Sequence, residues 1–293
     1  IHRTSLRGCP VVLANARLSE RSARGYRRLK PAVGWMLNEL YLVICQHQND
    51  ATRFASLGID KGKISVTGSV KYDLDIADSH LLKGAAQKQA LGEGQLIWIA
   101  ASTHEGEDVR LLKIHRDIRK IFPSVLLILV PRHPERFEDV FHLALSQKFK
   151  TYRRSECAFI PGDAEVFVVD SMGELLDFYA ASDIAFIGGS LVEVGGHNPI
   201  EPGALGLPII MGPHVFNFEA ICQQLVSVGG LYLAEDDASL LAYLISLISD
   251  PEKARAMGKA ALGEIEASKG AVLRVVDALT PLLDQAHQAC VGE

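Results

Sequence analysis

The sequence has no stretch of uninterrupted apolar residues long enough to cross a bilayer, and it has no secretory signal. The closest candidate, residues 35–45, is interrupted by Asn38 and Glu39. The five cysteines, at positions 9, 45, 157, 222 and 290, are scattered and form no C-x-x-C pair. This cysteine usage predicts a reduced, cytosolic protein rather than a disulfide framework.

Three signatures of common enzyme classes are also absent. The lack of G-x-S-x-G argues against a Ser-His-Asp hydrolase, and the lack of G-x-G-x-x-G argues against a dehydrogenase. The ten histidines include no H-x-x-x-H pair and no Cys–His cluster with ligand spacing. No metal site is therefore predicted.

The composition is that of an ordinary soluble α/β protein, and 293 residues are enough for two domains. The net charge is −5, yet the first thirty residues carry eight Lys and Arg against one acid, Glu20. Arg17, Arg21, Arg24 and Arg28 have helical spacing and predict one basic stripe. Such a stripe is either a solvated face or a surface for an anionic membrane or a phosphate-bearing acceptor. No nucleic-acid partner is expected.

Short apolar runs alternate with amphipathic stretches of helix length from end to end. The predicted strands are residues 11–14, 41–45, 64–67, 96–100, 125–130, 166–169, 184–187, 208–211 and 231–233. The predicted helices are residues 20–29, 49–57, 107–121, 134–148, 174–181, 201–206 and 218–227. Continuous apolar strands suit a parallel sheet buried on both faces, and the alternation implies βαβ units. The predicted fold class is α/β, doubly wound.

We place the domain boundary after residue 75. Residues 1–75 form the remainder of an N-terminal domain, residues 76–275 a complete doubly wound domain, and residues 276–293 a terminal helix. The first part is about half the usual size of such a domain. The sequence also begins at Ile1 without an initiator methionine. We therefore expect a further segment upstream of it.

Polar or glycine-rich turns follow four of the predicted strands, at the sheet edge where open α/β proteins bind ligands. These turns are residues 102–107 (STHEGE), 131–136 (PRHPER), 170–174 (DSMGE) and 188–201, which contains GGS and HNPIE. The convergence of four such turns is more informative than any one of them.

Two of these turns carry helix-capping patterns. Ser171 and Glu174 have S-x-x-E spacing, and Asn198 and Glu201 have N-x-x-E spacing with Pro199 at the first helical position. Local capping accounts for Asn198, and it accounts for Glu174 taken alone. The functional alternative is that the helix N-termini present N–H groups to an anion while Glu201 accepts hydrogen bonds from ribose hydroxyls.

Other residues at the same edge have two readings each. Residues 188–190 (GGS) allow a phosphate to approach the backbone closely, although sharp turns after strands often use glycine as well. Arg132 is suited to a phosphate or carboxylate, or it is a surface arginine. His104, His133 and His197 lie at strand ends, where they can hydrogen-bond a ligand.

Six strings occur in one order along nearly the whole chain and together resemble the bacterial 3-deoxy-D-manno-octulosonic acid (Kdo) transferases. They are NARLSERSARGY, VTGSVKYD, AASTHEGED, LVPRHPER, GGSLVEVGGHNPIEP and MGPHVFNF. That family moves Kdo from its CMP ester, CMP-Kdo, onto a lipid A precursor in lipopolysaccharide synthesis. The resemblance implies the GT-B architecture, in which two doubly wound domains face a cleft and the C-terminal one binds the nucleotide. It implies inverting transfer with neither a metal nor a cofactor.

The resemblance also implies roles for individual residues. A CMP site is implied for Pro131, Arg132, Met172, Gly173, Glu174, Asn198, Pro199, Ile200 and Glu201, with Gly188, Gly189 and Ser190 at its edge near the phosphate. Lys71 matches a lysine that stabilises the charge developing on the departing phosphate. Residues 102–107 match a loop with an expected role in sugar binding.

The sequence departs from the family at its N-terminal side. The family's general base is a glutamate near the start of the N-terminal domain, and neither Glu20 nor Glu39 occupies that motif. The family's apolar anchor, which implies a location at the cytoplasmic face of the bacterial inner membrane, is missing as well. Two alternatives stay open: a UDP-sugar-dependent enzyme of the same architecture, and a truncated, non-catalytic nucleotide-binding fragment.

Overall fold

The computed structural model describes residues 1–92 and 94–291, and it divides into two compact units. The first unit consists of Ile1–Asp73 and the residues from Ala267 onward, and the second is Leu74–Glu266. The first boundary therefore falls after Asp73 rather than after residue 75. The second differs more, because residues 267–275 belong with the first unit and not with the predicted domain 76–275. Residues 292 and 293 of the predicted terminal helix lie outside the described residues.

The first unit contains a small parallel sheet with helices packed on it. Its strands, in sheet order, are β1 (Val12–Ala16), β2 (Leu42–Cys45) and β3 (Ile64–Val66). Its first helices are α1 (His2–Ser5), α2 (Glu20–Arg27), α3 (Lys30–Asn38) and α4 (Gln48–Ser56). The sequence analysis missed α1 and α3. The helix α3 was missed because Pro31 and Gly34 are residues that usually interrupt helices. A Cβ on Gly34 would lie 2.8 Å from the Leu57 carbonyl oxygen. The glycine therefore allows close packing beside the end of α4.

The second unit is a seven-stranded sheet in which every pairing is parallel. Its strands are β4 (Ile97–Thr103), β5 (Leu126–Pro131), β6 (Thr151–Arg153), β7 (Val166–Val168), β8 (Ile184–Ile187), β9 (Ile209–Met211) and β10 (Leu231–Leu233), in the sheet order β10-β9-β8-β4-β5-β7-β6. Its helices are α5 (Asp78–Leu91), α6 (Glu107–Ile121), α7 (Phe137–Ser146), α8 (Leu175–Ala181), α9 (Ile200–Ala204), α10 (Glu219–Ser227), α11 (Asp237–Ser249) and α12 (Pro251–Ser268). The last helix of the chain, α13 (Ala271–Val291), belongs to the first unit.

These observations confirm the predicted α/β fold with parallel strands. Each predicted strand is present within a few residues, and continuous apolar runs such as β5 are buried along their whole length. The strand missed from the sequence is β6, whose three residues lie at the edge of the sheet. The predicted helix 134–148 is a 3-10 turn, Pro134–Arg136, followed by α7.

The C-terminal helix α13 is held in the first unit by Asp73. The two carboxylate oxygens of Asp73 accept the N–H groups of Gly270 and Val272, each at 2.5 Å. Arg274 adds a bond from its Nε to the Thr67 carbonyl oxygen at 2.7 Å. Because these partners lie about two hundred residues apart along the chain, no local pattern in the sequence predicts the return of α13.

A buried histidine lies in the core of the second unit. Fully buried Trp98 donates its Nε1–H to Nδ1 of His115 at 3.1 Å, and Nε2 of His115 lies 2.9 Å from the Glu165 carbonyl oxygen. His115 is therefore the neutral tautomer that donates through Nε2. Burial lowers the pKa of His115 to about 3. This pKa is lower than that of a histidine in the unfolded chain, which is about 6.5. Below about pH 6.5 the unfolded chain therefore binds a proton that the folded protein does not, and the free energy of unfolding decreases as the pH falls.

We expect the free energy of unfolding to fall by about 2 kcal/mol between pH 7.5 and pH 5 because of His115 alone. His115→Gln preserves one acceptor and one donor for the same partners, so it is expected to reduce this pH dependence by that amount in urea unfolding. The control is His142→Gln, since the side chain of His142 is 65% exposed. An equal pH dependence in wild type and His115→Gln would contradict the assignment.

Candidate functional site

The four polar turns predicted from the sequence lie side by side in the structure. They follow β8, β4, β5 and β7, which are consecutive neighbours in the second unit's parallel sheet. The chain builds the sheet outward from β4 in one direction through β5, and then in the other through β8. The crevice outside the carboxyl ends of β4 and β8 is thus a topological switch point, where open α/β sheets bind ligands.

A buried carboxylate joins the turns on either side of this crevice. Glu107, the first residue of α6, is fully buried. Its Oε2 accepts the N–H groups of His104 at 2.8 Å and Gly189 at 2.7 Å, and its Oε1 accepts those of Ser190 at 3.1 Å and Leu191 at 2.9 Å. Burial raises the pKa of Glu107, whereas the four N–H groups favour the ionised form and oppose that rise. The carboxylate acts as an internal anion.

This arrangement changes the interpretation of residues 188–190. The N–H groups of Gly189 and Ser190 bind Glu107, and that of Gly188 donates to the Ala101 carbonyl oxygen at 2.8 Å. In this conformation the three amides of the turn are therefore occupied within the protein, while the predicted place of the turn at the edge of a phosphate site stays a prediction. Its glycine has a packing reason instead, because a Cβ on Gly188 would lie 2.5 Å from the Ser102 carbonyl oxygen.

Ser190 is also engaged inside the protein. Its hydroxyl donates to the Ile187 carbonyl oxygen at 2.5 Å and accepts the Gly212 N–H at 2.8 Å, and the residue is fully buried. Ser190 thus joins the turn after β8 to the end of β9. Its polar groups are occupied in this conformation, and its predicted position at the edge of a phosphate pocket stays a prediction.

Three histidines cluster at the crevice. Nε2 of His104, after β4, lies 2.7 Å from Nε2 of His197, and the two rings are within 5° of parallel. The ring of His133, after β5, stands edge-on to His104 with centroids 5.2 Å apart. Burial, followed by neighbouring positive groups, lowers the pKa of His104, and it lowers that of His197 to about 4. Both rings of the bonded pair are therefore neutral near pH 7, so one donates and the other accepts.

Two arginines of the turn after β5 have different environments. Arg136 donates from Nη1 to the Thr103 carbonyl oxygen at 2.7 Å and forms an ion pair with buried Asp108, which also accepts the Thr103 hydroxyl at 2.5 Å. Arg132 is exposed, and none of the described carboxylates lies within ion-pair distance of its guanidinium. Its charge nevertheless acts on Glu201, whose pKa it helps to lower against the larger effect of burial. Arg132 is therefore close enough to Glu201 to affect the ionisation of its carboxyl group.

The turn before α9 holds the predicted ribose-binding carboxylate. Asn198 accepts the Ile200 N–H at 3.1 Å and donates from Nδ2 to Oε1 of Glu201 at 3.1 Å. The helix begins at Ile200, so Pro199 is its N-cap and not its first residue. Burial raises the pKa of Glu201 and outweighs Asn198 and Arg132, which lower it. The half-buried carboxylate keeps its other oxygen, Oε2, without a protein donor among the described residues.

The predicted capping box at Ser171 and Glu174 is wrong. The helix α8 begins at Leu175, and its N-cap is Glu174 itself, which makes no side-chain cap bond. Ser171 donates to the Glu174 side chain instead, and Arg154 binds the same carboxylate through Nε at 3.1 Å and Nη2 at 2.9 Å. Between them, Met172 is 62% exposed and Gly173 has a positive φ of 84°. The loop thus exposes Met172 to solvent, while Arg154 binds the carboxylate of Glu174.

The remaining predicted site residue, Lys71, lies in the first unit. It is exposed and belongs to a 3-10 turn, Val70–Tyr72, whose N-cap Ser69 accepts the Lys71 N–H. Partial burial, and then the neighbouring Arg17, lower its pKa. The other twelve predicted residues belong to the second unit.

The predicted basic stripe is only partly helical. Since α2 runs from Glu20 to Arg27, Arg17 precedes the helix and Arg28 is its C-cap residue. Glu20 is also less isolated than the sequence suggested, because it pairs with Arg27 at 2.7 Å and with Arg53 at 3.3 Å. The surface is therefore less positive than a count of its arginines implies.

A cavity of about 440 Å³ lies at the opposite edge of the second sheet, where the strands begin. The described residues that line it include none of the predicted site residues, and its charged groups Lys88 and Arg255 pair with Asp183 and Glu252. Among the residues whose side chains the structure describes, 1–92 and 94–284, no group of three or more potential metal ligands occurs. No helix in that part of the chain has the length and apolarity needed to cross a membrane.

Two functional positions escaped the sequence analysis. Glu107 was predicted as the start of a helix and as the last residue of the turn 102–107, for which sugar binding was expected, and not as an internal anion. Arg154 follows the missed strand β6. The sequence did contain one signal for Glu107. It is an acidic residue at the first position of a predicted helix, directly after a glycine that follows a strand. Three of its four partners lie 82 to 84 residues away, so their identity was not predictable from spacing.

Comparison with known proteins gives two family matches. The model described as "3-Deoxy-D-manno-octulosonic-acid transferase (kdotransferase)" matches residues 1–74, and that described as "Glycosyl transferases group 1" matches residues 105–263.

Two curated relatives are 3-deoxy-D-manno-octulosonic acid transferases. That of Haemophilus influenzae is 42% identical over 286 residues, which cover 97% of this chain and 67% of that protein. That of Bordetella pertussis is 34% identical over 276 residues, which cover 93% of this chain and 64% of that protein. The chain thus spans about two thirds of the length of these relatives.

Solved structures extend the comparison to the fold. The C-terminal CMP-Kdo binding domain of WaaA from Acinetobacter baumannii is 31% identical with a TM-score of 0.62, covering 64% of this chain and 99% of that one. Anabaena HepE in complex with UDP and glucose is 17% identical with a TM-score of 0.54, covering 94% of this chain and 73% of that one. The latter likeness concerns the fold alone, and together they identify the GT-B architecture.

Replacing Glu107 tests the internal anion. In Glu107→Gln one carboxylate oxygen becomes an N–H donor that faces N–H donors, so we expect the free energy of unfolding in urea to fall by about 3 kcal/mol at pH 7.5. Glu105→Gln, two residues earlier and exposed, is the matched control and is expected to change it by less than about 0.5 kcal/mol. Similar losses in the two variants would refute the role given to Glu107.

Proposed function

The chain belongs to the 3-deoxy-D-manno-octulosonic acid transferase family, and on that premise we propose that it forms the donor-binding part of an enzyme that transfers Kdo from CMP-Kdo to a lipid A precursor. The observation that carries the proposal is the likeness of 64% of the chain to a CMP-Kdo binding domain, and the electrostatic effect of Arg132 on Glu201 at the carboxyl edge of the second unit's sheet supports it.

In the proposed complex, the ribose hydroxyls of CMP donate to Glu201. Asn198 already fixes Oε1 of this carboxylate, which leaves Oε2 as an acceptor. Pro131, Met172 and Gly173 border the cytosine, and the exposed guanidinium of Arg132 neutralises negative charge on the nucleotide. Glu174 is assigned to the same site, oriented by Arg154.

The proposed chemistry is an inverting, metal-independent displacement. An acceptor hydroxyl attacks the anomeric carbon of Kdo, the bond from that carbon to the phosphate oxygen breaks, and the electron pair leaves with CMP. The acceptor proton passes to a general base, for which neither Glu20 nor Glu39 is proposed. Negative charge grows on the departing phosphate, and we assign Arg132 to its stabilisation. For Lys71 we propose the charge-stabilising role that the family resemblance implies. No cofactor takes part.

The acceptor and the location belong to the same proposal. A lipid A precursor is a membrane lipid, so the enzyme is placed at the cytoplasmic face of the bacterial inner membrane. The first unit supports this placement with exposed apolar side chains close in sequence to basic ones, among them Leu29 at 65% and Trp35 at 57% exposure beside Arg28 and Lys30. Such a combination suits the surface of an anionic bilayer.

We expect calorimetric titration to show that CMP binds more tightly than UMP, and that Glu201→Ala weakens CMP binding at least about tenfold. The reason is the loss of two hydrogen bonds from ribose hydroxyls to a charged acceptor. The matched control is Glu193→Ala, an exposed glutamate of the same turn, for which CMP affinity is expected to stay unchanged.

Other outcomes of the titration are equally informative. Preference for UMP would favour a UDP-sugar-dependent enzyme of the same architecture. A folded chain that binds neither nucleotide would contradict the proposed donor site.

A further inference from the structure

The histidine pair stands at the position in the sheet where a ligand is most expected. His104 follows β4 and His197 belongs to the turn after β8, so their hydrogen bond bridges the two sides of the topological switch point. Both residues are half-buried, and neither Nδ1 has a hydrogen-bond partner among the described residues. Polar ring atoms are thus available in a partly enclosed crevice.

The backbone beside the pair is held in an uncommon conformation. Ser102, two residues before His104, has a positive φ of 58°, and the register between β4 and β5 shifts between Ala101 and Thr103. This conformation is unfavourable for a residue other than glycine, and it is maintained here by the bonds of Thr103 and Glu107. The backbone conformation at Ser102 determines the direction in which the chain leaves β4, and in that direction His104 lies within hydrogen-bond distance of His197.

The charges around the pair are unbalanced toward the positive. His133, Arg132 and Arg136 all lower the pKa of His104, and Asp108 is the acid that raises it. Asp108 is already bound to Arg136 and to Thr103, and Glu107 is saturated by four N–H groups. The acids next to the pair are therefore engaged within the protein, while the exposed Arg132 has no ion-pair partner among the described residues. Apart from Glu201, whose pKa Arg132 helps to lower and which is assigned to the ribose, an incoming anion would find cationic and N–H groups whose neighbouring carboxylates are already bound.

We propose that His104 and His197, with Arg132 beside them, form a subsite for the carboxylate of the transferred sugar acid. This inference rests on the proposed function, in which the donor is a nucleotide ester of a sugar acid. In such an ester the anomeric carbon bears both the phosphate oxygen and the carboxylate, so the two anions lie within a few bonds of each other. CMP alone supplies only the phosphate. A second anionic subsite next to Arg132 would distinguish a sugar acid from a neutral sugar.

The subsite takes up a proton when it is filled. In the empty site burial, then His104, Arg132 and His133, lower the pKa of His197 to about 4, and burial with the same positive neighbours lowers that of His104. A carboxylate placed beside the rings favours their protonated form, so binding draws one proton from the buffer onto an imidazole nitrogen. The protonated pair keeps its Nε2 hydrogen bond and gains an N–H donor and a positive charge.

The test is a calorimetric titration of free Kdo into the full chain, with and without saturating CMP, compared with the primary amide of Kdo as the ligand without charge. We expect Kdo to bind at least about tenfold more tightly than its amide, because a charged partner is worth about 1.5–3 kcal/mol. Kdo affinity is expected to rise between pH 8 and pH 6, with proton uptake measured from the difference between buffers of unlike ionisation heat.

Variants separate the sugar carboxylate from the phosphate. His104→Gln and His197→Gln are expected to abolish the preference for Kdo over its amide and the proton uptake, while CMP affinity changes less than about twofold, within RT ln 2 or about 0.4 kcal/mol. His142→Gln, exposed and on α7, is the control that keeps both.

Equal binding of Kdo and its amide to the wild-type chain would overturn the inference. So would a loss of CMP affinity in His104→Gln as large as the loss of Kdo affinity, which would assign the pair to the phosphate. A chain that fails to bind CMP but still prefers Kdo over its amide would contradict the proposed function and support the carboxylate subsite.

Discussion

The carboxylate of Glu107 is the interaction on which the candidate site depends. It is fully buried, and it holds N–H groups from the turn after β4 and from the turn after β8, the two strands between which the order of the sheet reverses. Burying a charge is costly without partners, and here four N–H groups from the two turns, together with the position of Glu107 at the start of α6, offset that cost. The same bonds bring His104 and His197 into contact.

This arrangement determines what is left for a ligand. The glycine-rich turn after β8 uses its amides on Glu107 and Ala101, so these amides are not offered to a ligand in this conformation, and we propose side chains for the recognition of an anion. The side chains at hand are the histidine cluster and the exposed Arg132, with Glu201 nearby as an acceptor for hydroxyl groups. The anion Glu107 is thus buried inside the protein, whereas the cation Arg132 is exposed at the crevice.

The sequence was sufficient to predict the strands of the sheet and the edge at which the site lies. It was insufficient to predict the hydrogen bonds that hold the site together. Buried strands such as β5 are recognisable as continuous apolar runs, and parallel strands have their carboxyl ends on one edge of the sheet. The sequence alone could therefore predict that the four turns lie side by side. The edge strand β6 is too short to show a period, and α3 contains a proline and a glycine. The partners of Glu107 and Asp73 are distant along the chain, and only tertiary structure reveals such pairs. The same is true of Ser171, whose spacing resembled a capping box but whose hydroxyl binds a side chain.

The most direct test of this account is a crystal structure of the chain with CMP bound. The account predicts the ribose hydroxyls on Glu201 and the phosphate near Arg132, with the N–H groups of Gly189, Ser190 and Leu191 still on Glu107. CMP in the cavity at the opposite edge of the sheet would contradict the proposed site. Amides that leave Glu107 to bind the phosphate would contradict the claim that this carboxylate is a permanent internal anion.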